Sequence, residues 1–247
     1  MLIRVLLAAI LAGVGAGVFA TAAQSLRVTP LILEAETYEN AGGAGHAHGH
    51  DRGAADATQS AAQTAETEEE EWAPADGLER TFFTLMANAV VGAGFALVVT
   101  AAILLTGQTV TLTSGLVWGL AGFVVFVLAP GFGLPPELPG TEAADLALRQ
   151  TWWLATVLAT AGGLAILYYR RQPMWIAAAL VLIAAPHLYG APQPAEHEAL
   201  APAHLAVEFA IASIATGFVY WLFLGGLLGF VLDRAMRAEA GHTEAVA

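Results

Sequence analysis

The chain has 247 residues, of which 57% are hydrophobic and only 12% charged, about half the charged share of an ordinary soluble domain. Nine arginines with no lysine and no cysteine exclude a Walker-type ATPase, Schiff-base chemistry, thiol nucleophiles, disulfides and thiolate metal sites. The net charge of −12 points to cations rather than nucleic acid as partners, although its distribution matters more than its sum.

Six apolar segments follow in chain order. A bilayer crossing takes roughly 20 helical residues, and backbone groups in hydrocarbon must pair internally, so each segment is expected to be a helix. The first runs from about Leu2 to Ala23. Arg4, the apolar stretch and the small residues Ala20 and Ala22 also suit a cleavable signal peptide. The stretch exceeds the usual h-region, so a retained helix is expected over residues 1–26.

Residues 27–80 make the one long loop. Its stretch AGGAGHAHGHDRGAADATQSAAQTAETEEEE lacks periodicity and has little apolar surface to offset its ordering entropy. It is therefore expected to be largely disordered. His46, His48 and His50, with Asp51 and the acids Glu68–Glu71, would form a flexible metal collector of low affinity. The alternative is a solvated linker whose histidines do nothing specific.

The second segment spans about Thr81 to Thr106 and carries Asn88, which either bonds across helices or borders a site. The third, about Leu112 to Ala129, leads into GFGLPPELPG, a loop stiffened by Pro135, Pro136 and Pro139. Glu137, Glu142, Asp145 and Arg149 surround that loop, as a cation-concentrating mouth or as a structural pair between Arg149 and one carboxylate. Segments four (Trp152 to Tyr169) and five (Met174 to Tyr189) are short, whereas segment six (His204 to Leu232) is long, so tilts should differ. Trp152, Trp153 and Trp175 read as interfacial anchors. Glycines four apart, at 13 and 17, 115 and 119, and 225 and 229, offer small faces for close helix contact. The bundle is thus residues 81–234, with 235–247 as a tail.

Arginine placement orients the whole. With the N-terminus inside, Arg4, Arg170, Arg171, Arg234 and Arg237 lie inside, against Arg27, Arg80 and Arg149 at outer helix ends. Both termini are then cytoplasmic, and six of the seven histidines fall on the outer side. Among them, His204 and Glu208 are four apart and share one helix face. A carboxylate in an apolar helix should face the interior with a partner, unless it snorkels near the helix end. His187, closing segment five, is the natural third ligand, with His197 in the loop between them. Imidazole and carboxylate suit Co, Ni and Zn, and their lack of thiol argues against copper(I). HEALAPAH at 197–204 is no zincin motif, because Ala201 stands where the second histidine belongs. Ser114 in LTSGL lacks a nucleophile elbow.

WAPADGLERTFFTLMANAVVGAGFALV, GLVWGLAGFVVFVLAPGFGLPPELPG and RQTWWLATVLATAGGL resemble the CbtA family over about residues 72–232. The resemblance implies a cobalt transporter subunit, often paired with a small one-helix, histidine-bearing CbtB partner. Cobalt, as against Ni or Zn, comes from that resemblance alone.

The reading is therefore an all-α integral membrane protein of about six helices in the bacterial inner membrane. It is expected to be no enzyme and to hold no firm cofactor, and to take up a divalent transition-metal cation. The rival reading is a non-transporting metal-binding scaffold or accessory subunit. A membrane haem protein with His187 and His204 as axial ligands is the third.

Overall fold

The structure, a computed structural model, describes residues 2–47, 74–75, 77–194 and 199–244, with the backbone alone at residues 40, 42–47 and 238–244. It is helical throughout: α1 (Leu2–Arg27), α2 (Thr29–Ala47), α3 (Leu78–Thr106), α4 (Leu112–Phe123), α5 (Ala129–Gly131), α6 (Leu146–Tyr169), α7 (Pro173–Tyr189) and α8 (Ala203–Glu244). A π-helical turn, Val124–Leu128, joins α4 to α5 without a break. Among the described residues the only β pairing is an isolated bridge between Thr141 and Ala199. Among the described residues, five helical stretches are long and apolar enough to cross a membrane: α1, α3, α4 through α5, α6 and α8. The sixth expected crossing, α7, has 17 residues; at 1.5 Å per residue it is about 26 Å long, the short end of what spans.

Small residues decide which helices meet. α1 packs on α3 and α8, and α4 packs on the far side of α8. A Cβ added at Gly13 or Gly17 would run into the α3 backbone at Gly92, Ala93 and Asn88. One at Gly115, Gly119, Gly225 or Gly229 would do the same across the α4–α8 seam. The three expected glycine pairs therefore bring backbones together, where packing must substitute for a hydrophobic drive that lipid does not provide. Behind the seams lies a core of Val5, Ala9, Ala96, Ile103, Trp221 and Leu228. Large apolar side chains such as Leu11, Leu105 and Leu158 face outward, as a bundle solvated by acyl chains requires.

α6 and α7 form a hairpin that joins the rest through the π-turn and α5. Trp152 is buried at 6% exposure, and its indole N–H donates to the Pro186 carbonyl at 3.0 Å. It is a pin between the two helices and not an interfacial anchor, since its polar edge finds its partner inside. Trp175, by contrast, is partly exposed with the Arg170 guanidinium 5.7 Å over its ring.

One departure from expectation is large. Residues 29–47, read as disordered loop, form α2. Pro30 sits in the first turn, where its missing N–H costs nothing. Val28 and Ala35 are buried, with Leu31 and Ile32 partly so, against Leu138, Leu205 and Phe209. The Arg80 guanidinium clamps Glu36 through two bonds of 2.6 and 3.2 Å, tying α2 to the start of α3. α2, the PPELPG loop and the approach to α8 thereby cap one end of the bundle. His46 lies near the C-terminus of α2 with its side chain undescribed, and His48, His50 and His197 lie outside the described residues.

Candidate functional site

The capped end holds a cleft of about 630 Å³ between the π-turn, the PPELPG loop and α6. Its walls are mainly apolar, Phe126, Val127, Pro136, Trp153 and Ile214 among them. Glu137 and Arg149 supply the charge and pair at 3.1 Å, each about 30% exposed. The structural pair expected for Arg149 is therefore present. Asp145 is occupied differently: it caps α6 by accepting from the Leu148 N–H at 3.0 Å. Ser114 is likewise structural, exchanging hydrogen bonds with Thr111 in the capping box of α4.

His204 and Glu208 lie in the first turns of α8 on its exposed side, while Leu205 and Phe209, each the next residue along, turn inward. Their shared face is as the spacing required, but it points out of the bundle. Glu208 is five residues into the helix, about 7 Å from its start, so its carboxylate can reach the polar boundary. His187 is elsewhere. Its ring sits edge-on to Trp152 and Phe132, with centroids 5.7 and 6.4 Å away. Because α7 is short and packs on α6, with no more than stray contact to α8, the expected trio of His187, His204 and Glu208 is not assembled. Among the described residues no three His, Asp or Glu side chains gather closely enough to hold a metal ion.

A second recess, of about 240 Å³, lies deeper, between α1, α3, α8 and the π-turn. Its polar lining is Gln24, Asn88, Ser213, Thr216 and Tyr220. Asn88 donates to the Thr21 hydroxyl at 3.0 Å and to the Gln24 side-chain oxygen at 2.8 Å, the bond across helices that its place in segment two allowed. The Ser213 and Tyr220 hydroxyls are buried without a hydrogen-bond partner among the described residues. No charged side chain lines the recess. Sequence reading missed it, because a neutral Ser or Tyr in an apolar run has no spacing signature. The π-turn separates the two hollows, and Val127 belongs to the walls of both.

Comparison with known proteins places this geometry in a family. No curated protein and no solved structure gives a match. Residues 2–233, which run from the start of α1 through the membrane part of α8, match the family described as "Probable cobalt transporter subunit (CbtA)". This chain is a multi-pass membrane protein that belongs to the CbtA family.

Proposed function

We propose that this chain is the membrane subunit through which a divalent transition-metal cation, cobalt, enters the cell. The observation that carries the reading is family membership over the entire helical bundle, from α1 to α8. The capped end is taken as the outer end, in a bacterial inner membrane. It exposes Glu34, Glu39, Glu142, His204 and Glu208, a mostly anionic surface that raises the local concentration of cations. His46 lies in the last turn of α2, His48 and His50 follow it in the sequence, and His197 belongs to the segment that leads directly into α8. These imidazoles and carboxylates gather metal, with His204 and Glu208 as the first fixed pair it meets. Nickel and zinc suit the same ligands; cobalt follows from the family. His187, held against the rings of Trp152 and Phe132, stands apart from that pair.

The test is Co²⁺ uptake by vesicles containing the purified chain, alone and with a small CbtB-like partner. Flux from the chain alone supports the proposal, and flux that needs the partner makes the two a joint pathway. Absence of flux in both, with metal still bound, would leave the chain a metal-binding scaffold.

A further inference from the structure

We propose that the recess between α1, α3 and α8 is an intramembrane resting site for a hydrated divalent cation, held by the neutral oxygens of Asn88, Ser213 and Tyr220. The inference deepens the transport reading and rests on it. Buried polar groups in proteins are nearly always satisfied, and each exception calls for an explanation such as a water or an ion. Two of the four orphaned hydroxyls among the described residues belong to Ser213 and Tyr220, which both line this one recess. Asn88 spends both amide protons on Thr21 and Gln24, so its Oδ1 is the atom it can offer to a ligand.

Size admits the ligand. Six waters at about 30 Å³ each need roughly 180 Å³, so a recess of about 240 Å³ admits a cation that keeps its first shell. The coordinated waters supply donors to Asn88 Oδ1 and to the hydroxyl oxygens, which satisfies the orphaned groups. With no carboxylate or imidazole present, the hold is weak. A site that must release what it binds needs that weakness. Depth agrees: Ser213 is ten residues into α8, about 15 Å from its start.

Val127 separates the recess from the outer cleft. Its two methyls face the α8 backbone at Gly217, where an added Cβ would meet them at 3.5 and 3.8 Å, in ordinary contact. The π-turn that carries Val127 is the kind of irregular helical turn that recurs at functional sites. Displacing this one side chain joins the two hollows.

The experiment exploits the absence of native cysteine. Thr216→Cys places a single thiol on the recess wall without touching the three proposed oxygens. In vesicles, Co²⁺ should slow its reaction with a small hydrophilic thiosulfonate, and adding Tyr220→Phe should abolish most of that protection. The thiol's own affinity for cobalt is common to both proteins and cancels. In parallel, the Ser213→Ala, Tyr220→Phe double variant should lower Co²⁺ flux by about tenfold, the weight of a hydrogen bond to a charged group. Its thermal midpoint should stay or rise, since hydroxyls without a protein partner do not hold the fold. Unchanged protection with unchanged flux would overturn the site while leaving the transport reading intact. Tyr220-dependent protection without any flux would keep the site and remove transport by this chain alone.

Discussion

Glu208 is a single residue on which the entrance can be tested. It and His204 lie one turn apart on the exposed side of α8, so one cation can touch both. Replacing either ligand, by Glu208→Gln or His204→Ala, should raise the Co²⁺ concentration for half-maximal uptake by about tenfold or more, as loss of metal-site support generally does. Maximal uptake should change little, because capture is not passage. The two effects should fall short of additive, as residues that share one site do. An unaltered concentration dependence in both would show that Glu208 merely snorkels. The pair was legible in the sequence because a spacing of four fixes a face whatever surrounds it. Its direction was not, because that depends on Leu205 and Phe209 packing beneath α2. His187 misled for a related reason: nearness along the chain suggested an α8 partner, whereas Trp152 and Phe132 surround its ring.

Between elements, glycine geometry makes a sharper prediction. Gly225→Ala would place a methyl against the Gly115 carbonyl and the Gly119 backbone, neither of which can rotate away. Forcing α4 and α8 apart should cost about 1–3 kcal/mol, the scale of overpacking, and lower the thermal midpoint in detergent. Gly94→Ala is the control, since a Cβ there meets nothing within 4 Å and a helical alanine is favoured over glycine by roughly 0.5–1 kcal/mol. Equal midpoints for the two variants would sink the seam argument. The long helices and their glycine faces could be read from the sequence because runs of hydrophobicity and spacings of four are local properties. α2 could not, because Leu31, Ile32 and Ala35 are a brief amphipathic stripe diluted by the polar tract that follows. The π-turn was equally hidden, since VVFVL is as apolar as any ordinary helical turn.

At the scale of the whole molecule, the charges divide between the two ends. One end carries Arg4, Arg170, Arg171 and Arg234, all exposed, with Arg237 paired to Asp233 at 2.7 Å. At the other, Arg80 and Arg149 are each bound to a glutamate, Glu36 and Glu137. Neutralised arginines resist translocation less than free ones, so the asymmetry in effective positive charge exceeds the five against three of a bare count. The basic end should therefore face the cytoplasm and the capped end the exterior. Because the native chain has no cysteine, Ser60→Cys and Gln172→Cys each report a single position, one in the long loop and one in the turn between α6 and α7. In intact cells a membrane-impermeant maleimide should label position 60 at once and position 172 only after permeabilisation. The reverse pattern would turn the protein over, placing the histidine-bearing loop and the His204–Glu208 pair on the cytoplasmic side. The same residues would then receive metal on its way out, and uptake would give way to export.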